Sequence, residues 1–91
     1  MATLKLYTDK TVRSHAARAH LIALGVAFEE VNVEQNASAN TFLESKGRSR
    51  NKHPLPQYYV GDELAWANGY RDVAQLTAAQ INSKVEELNA S

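Results

Sequence analysis

Leu55-Pro56-Gln57-Tyr58-Tyr59-Val60-Gly61-Asp62-Glu63-Leu64-Ala65-Trp66 is the stretch on which the fold turns. A proline opens it, and two short runs rich in aromatic and apolar residues flank Gly61-Asp62. A two-residue connection that begins with glycine suits a type II′ hairpin, so residues 57–60 and 63–66 are predicted to pair antiparallel. Tyr58 and Tyr59 point to opposite sides of a strand, which predicts one face in the core and the other partly wet, with Trp66 also packing.

Upstream the pattern is different. Leu4 and Leu6 alternate with Lys5 and Tyr7 in a strand that ends near Tyr7 or Thr8, where Asp9-Lys10-Thr11 breaks it. Val12, Ala16, Ala19 and Ala23 then recur at helical spacing, widened by Leu21 and Leu24, up to a stop at Gly25. Residues 28–33 are again strand-like. A helix between two strands implies a parallel βαβ unit. Residues 36–46 read as a second helix, with Ser38 as its N-cap, Phe42 and Leu43 as its apolar contacts and Gly47 as its stop.

Downstream of the hairpin, Val73, Leu76, Ile81, Val85 and Leu88 keep a helical rhythm, while Thr77 and Gln80 stand at capping-box spacing. One bent helix or two short ones satisfy that pattern. The expected architecture is α/β: a four-stranded mixed sheet with about three helices in the order β-α-β-α-β-β-α, forming one domain over residues 1–91.

Composition narrows the function. Ten basic residues offset ten acidic ones, so no net field gathers nucleic acid or an acidic membrane. The chain of 91 residues suits one domain that buries roughly 60 to 65% of its unfolded surface. Its start runs into an alternating segment instead of an apolar leader, and no run approaches the ~20 apolar residues that span a bilayer. A soluble, cytoplasmic protein is expected. There is no cysteine.

The element order, with Leu55-Pro56-Gln57 before the third strand, resembles the thioredoxin fold, and most closely the glutaredoxins and their NrdH-redoxin branch. Leu6-Tyr7-Thr8 resembles the approach to that family's active-site turn, His15 to Gly25 the helix after it, and residues 28–33 its second strand. Residues 63–66 with Gly69-Tyr70-Arg71-Asp72 resemble the strand and Gly-aromatic turn that close the family's groove. Counted back from Gly25, with one residue deleted in the turn, Thr11 and Ser14 fall on the two active-site cysteines. Val12 rivals Thr11 for the first position, and Arg13 lies between.

Oxygen cannot replace sulfur there. A thiol of intrinsic pKa about 8.5 is brought near neutrality at a helix N-terminus. A hydroxyl starts nearer the roughly 15.7 of water, so ionising it at pH 7 costs on the order of 11 to 12 kcal/mol, whereas helix ends supply about 0.3 to 2. Nor can a serine form a mixed disulfide. Dithiol, monothiol and iron-sulfur roles are thereby excluded, and the reading leans away from an enzyme.

The resemblance implies that a binding surface survives. Leu55 and Pro56, joined by a cis bond, would form a backbone edge for an extended peptide, with Tyr7 beside it and Gly69, Tyr70 and Asp72 as the opposite wall. Glutathione is an alternative ligand, since Asp72 stands where a glutaredoxin holds the γ-glutamyl amine, although Trp66 and Gly69-Tyr-Arg71 look more like the NrdH branch. The preferred reading is a redox-inactive module that binds a protein or peptide, such as a redoxin's partner of the ribonucleotide reductase or thioredoxin reductase kind. The alternatives are a glutathione-binding, transferase-like protein using the Thr11 or Ser14 hydroxyl, and a disulfide oxidoreductase whose cysteines were replaced.

The segment between Gly47 and Pro56 is long for that family and carries Arg48, Arg50, Lys52 and His53. With Lys10, Arg13, His15 and Arg18 these charges would make a basic rim suited to a phosphate or an acidic partner segment. Other sites fare worse. His15 and His20 are five apart, on different helical faces, with no further ligand at zinc spacing, and both are expected at the surface. Ser14, His15 and Asp72 lack the Gly-x-Ser-x-Gly elbow of a hydrolase, and no aromatic-basic interleaving suggests nucleic acid.

Overall fold

The computed structural model describes residues 2–49, 52–53 and 55–90. Its central strand is β1 (Leu4–Thr8), which pairs parallel with β2 (Glu29–Asn32) and antiparallel with β3 (Gln57–Val60). β3 pairs antiparallel with β4 (Glu63–Leu64), giving a mixed sheet in the order β2-β1-β3-β4. The ladders overrun these bounds: the Val33 N–H donates to the Thr8 carbonyl at 2.9 Å and the Ala65 N–H to Tyr58 at 2.8 Å. Gly61 has φ +61° while Asp62 keeps a negative φ, the sign pattern of a II′ turn.

Four helices cover the sheet: α1 (Val12–Leu24), α2 (Ala37–Ser45), α3 (Tyr70–Val73) and α4 (Ala78–Ala90). The last part of the chain thus forms two helices and not one bent helix. Thr77 separates them through a reciprocal cap, its N–H donating to Gln80 Oε1 at 2.8 Å and its Oγ1 accepting from the Gln80 N–H at 3.2 Å. α1 ends with the Gly25 N–H on the Ile22 carbonyl and the Val26 N–H on that of Leu21, a Schellman closure that brings Val26 into the same cluster as Leu21. The cap of α2 differs from the expectation: Asn36, not Ser38, accepts from the Ala39 N–H at 3.2 Å.

Two apolar clusters hold the layers together. On one face Leu4, Leu6, Tyr58 and Val60 meet Ala17 and Leu21 of α1, Val73 of α3 and Ile81 of α4. On the other, Tyr7 and Tyr59 meet Val33, Leu55, and Ala39 and Leu43 of α2. Tyr58 and Tyr59 are both fully buried, so neither side of β3 is wet. The reason is that helices cover both faces of the strand, which alternation within one strand cannot reveal. The tyrosines are locked by edge-on ring contacts, Tyr58 to Trp66 at 5.5 Å and Tyr59 to Phe42 at 5.1 Å.

The inward stripe of α1 also differs from the expected one. Ser14, Ala17 and Leu21 face the sheet, whereas Val12 is 83% exposed and Ala19 and Ala23 are exposed. Alanines fit either face of a helix, so their spacing alone does not set its phase. His20, expected at the surface, is half-buried with its ring edge-on to Tyr70 at 5.8 Å, while His15 is exposed.

Leu21→Ala is therefore expected to cost about 2 to 5 kcal/mol in urea denaturation, and Val12→Ser less than about 0.5. A larger loss from Val12→Ser would reverse the assignment of faces. A second expectation concerns alkaline pH. Burial raises the phenol pKa values of Tyr7, Tyr58 and Tyr59, helped at Tyr7 by Tyr59, Glu29 and Asp62 and opposed at Tyr59 by the Arg48 guanidinium. Above pH ~10 the unfolded chain loses protons that the folded chain keeps, so stability is intact below pH ~10 and falls as the pH rises beyond it. The buried Tyr58 hydroxyl has no hydrogen-bond partner among the described residues. Tyr58→Phe should then leave stability at pH 7 unchanged or higher and flatten the alkaline loss, measured by urea midpoints from pH 8 to 11.

Candidate binding cleft

The turn before α1 is organised by a carboxylate that sequence reading passed over. Asp9 Oδ1 accepts from the Thr11 N–H at 3.0 Å, the Thr11 hydroxyl at 2.6 Å and the Ser14 hydroxyl at 2.8 Å, while the Asp9 N–H donates back to Ser14 Oγ at 3.0 Å. Thr11 is the N-cap, its Oγ1 accepting from the Ser14 N–H at 3.4 Å. The signal was an aspartate two residues before a threonine, an Asx-turn spacing. The same turn is tied from outside to the segment that follows β2, by the Lys10 N–H on Glu34 Oε2 at 2.7 Å.

Ser14 is only 1% exposed. Its hydroxyl points at a carboxylate, which is far too weak a base to ionise an alcohol, and substrate cannot reach it. Asp72, the third member of the triad that the sequence invites, accepts instead from the Asn68 N–H at 3.1 Å and the Asn68 side-chain amide at 3.3 Å. Thr11 and Ser14 thus shape a helix start.

A cleft of about 480 Å³ opens beside that helix start. Arg13, Arg48, His53, Leu55, Pro56, Gln57 and residues 67–71 line it. The structure therefore brings Leu55, Pro56, Gly69 and Tyr70 together with Arg13 and Arg48. It does not bring in Tyr7, which packs between Phe42 and Tyr59 in the core on the α2 side, at ring distances of 5.5 and 5.2 Å. Asp72, Lys10 and Lys52 lie outside the lining as well, and Arg50 falls outside the described residues. Arg71 and His53, expected in the groove-closing turn and the basic rim, join the wall, as do Gln57 and Asn68, which were not singled out as groove contacts.

Arg48 is a strut and not a free charge. Its N–H closes α2 on the Leu43 carbonyl at 2.9 Å, and its guanidinium donates to the Ala67 carbonyl at 2.8 Å, bridging the two sides of the cleft. Gln57, 2% exposed, pins the loop: Nε2 donates to the carbonyls of Arg48 at 3.0 Å and His53 at 3.3 Å, and Oε1 accepts from the Tyr59 hydroxyl at 3.0 Å. A buried amide with every group used gives the cleft floor one arrangement.

The walls touch at one point. Leu55–Pro56 is a cis peptide, and Gly69, at φ +59° and ψ −130°, lies where a Cβ would come within 2.5 Å of the Pro56 carbonyl oxygen. Only glycine has both the dihedral and the room. Among the described residues, the Leu55 backbone pairs with no other backbone group, and Leu55, which lines the cleft, is 2% exposed.

No family model matches the chain, and no curated protein is significantly similar to it. Among the described residues no group of three or more His, Cys, Asp or Glu could hold a metal ion, and no helix is long and apolar enough to cross a membrane.

Gly69→Ala is expected to cost about 1 to 3 kcal/mol from its dihedral alone, and more from the clash. Amide spectra should show the displacement at Leu55. Unchanged stability and spectra would mean that the two walls are not held by this contact.

Proposed function

We propose that the chain is a redox-inactive, glutaredoxin-like protein of thioredoxin fold that binds an extended segment of a partner protein in the cleft between Leu55-Pro56 and Gly69-Tyr70. The sheet order β2-β1-β3-β4, the helices on both faces and a cis proline just before β3 support the fold comparison. The observation that carries the function is the cleft itself, where apolar Leu55, Pro56 and Ala67 lie among polar side chains, the Leu55 backbone has no backbone partner among the described residues, and the adjoining helix start has both hydroxyls donating to Asp9. An unpaired backbone favours a peptide, which can add to it as a strand does. Partners of the kind that true redoxins dock on, ribonucleotide reductase or thioredoxin reductase, fit this reading.

The glutathione-transferase-like alternative is less well supported. Of the two hydroxyls it could use, that of Ser14 is buried against Asp9 and that of Thr11 donates to the same carboxylate, and the carboxylate it would use for the γ-glutamyl amine is held by Asn68.

The test is selection of random decapeptides displayed on phage against the purified chain, followed by amide-shift mapping. Selected peptides should perturb Leu55, Gly69 and Tyr70, and reduction of insulin disulfides should stay at background. Shifts confined to other surfaces would overturn the binding site, and turnover would overturn redox inactivity. Shifts at Ser14, Leu55 and Asp72 with millimolar glutathione would favour the alternative.

A further inference from the structure

Taking the peptide-cleft reading as its basis, we infer that the occupant is acidic, an extended segment whose carboxylates meet Arg13 and Arg71. Every ionisable group in the lining apart from the Tyr70 phenol is basic: Arg13, Arg48, His53 and Arg71. The carboxylates closest in sequence to these walls are not part of the lining and are engaged locally, Asp9 with Thr11 and Ser14 and Asp72 with Asn68. A chain with no net charge thereby concentrates positive potential in one concavity, where low-dielectric walls focus it.

The cations differ in what they can do. Arg48 already donates to the Ala67 carbonyl, so it sets the shape of the cleft and adds background charge. Arg13 and Arg71 are exposed and make no ion pair with any described residue. Each retains the planar fork of donors that grips a carboxylate at two points. Arg13 sits in the first turn of α1 and Arg71 in α3, and both line the cleft with Leu55 and Pro56. A chain paired to the Leu55 backbone would send alternate side chains to opposite sides. Acidic residues along such a chain would meet both arginines, and apolar Leu55, Pro56 and Ala67 favour a peptide over a bare anion.

The experiment uses two fluorescein-labelled, N-acetylated and C-amidated octapeptides, one with glutamates at alternate positions and one with glutamines there. The acidic peptide should bind roughly tenfold or more tightly than its neutral counterpart, as two charge-assisted contacts imply. Its affinity should fall as salt rises from about 50 to 200 mM. Arg13→Glu with Arg71→Glu should abolish the difference, while Lys46→Glu with Lys84→Glu, an equal change of net charge on other surfaces, should preserve it. The milder pair Arg13→Gln and Arg71→Gln, checked for folding by circular dichroism, gives the same reading if the reversal unfolds.

Equal binding of both peptides, with shifts at Leu55, Gly69 and Tyr70, would overturn the acidic preference and leave the peptide cleft standing. Shifts at those residues with inorganic phosphate alone, and with neither peptide, would replace the peptide by a small anion. No shift there with any of the three probes would overturn the acidic occupant, and a failed phage selection beside it would take the cleft reading too.

Discussion

The approach of the Gly69 backbone to the Pro56 carbonyl is the contact on which the cleft depends. Two segments far apart in sequence meet there with no space for even one carbon between them. One belongs to the proline turn that leads into β3 and the other to the loop that leads into α3, so their contact sets the distance between the walls. Arg48 repeats the link from the far side through the Ala67 carbonyl, and Gln57 fixes the intervening loop from below. None of these bonds is large alone, at about 0.5 to 1.5 kcal/mol for a neutral pair. Together they leave the cleft one shape, and that spares a ligand the entropy of ordering it.

The helix start beside the cleft satisfies its own polar groups. A helix N-terminus offers unpaired N–H groups and a partial positive charge, a setting that activates sulfur. Here Thr11 caps the helix and a single Asp9 oxygen gathers both hydroxyls. The polar groups satisfy one another and Ser14 is shut inside. Arg13 stays exposed near that end and lines the cleft.

Much of the fold was legible along the chain. Element periods, the Gly61-Asp62 turn, the Thr77–Gln80 box and the stop at Gly25 are local features, read correctly because each depends on neighbours within a few residues. The errors share a cause. The phase of α1 was misread because alanines recur on several faces, so burial was decided by whichever stripe met the sheet. Ser38 was preferred to Asn36 although both are good caps, and the choice rests on where the backbone leaves its extended form. Alternation at Tyr58 and Tyr59 predicts one partly wet face because nothing in their own strand announces that helices lie over both. Tyr7 was grouped with the cleft by its sequence position near the helix start, yet strand alternation turns its ring to the α2 side.

Sequence by itself determined the alternation of strands and helices, the absence of thiol chemistry and the neutrality of the whole chain, since these follow from residue type and short-range spacing. Only the tertiary structure decided which charges are available. Arg48 looks in sequence like any loop arginine and proves to be a brace, while Arg71, read from sequence only as part of a turn, completes a basic wall. Side-chain function at such positions depends on which distant carbonyl or carboxylate lies within about 3 Å, and no local pattern carries that distance.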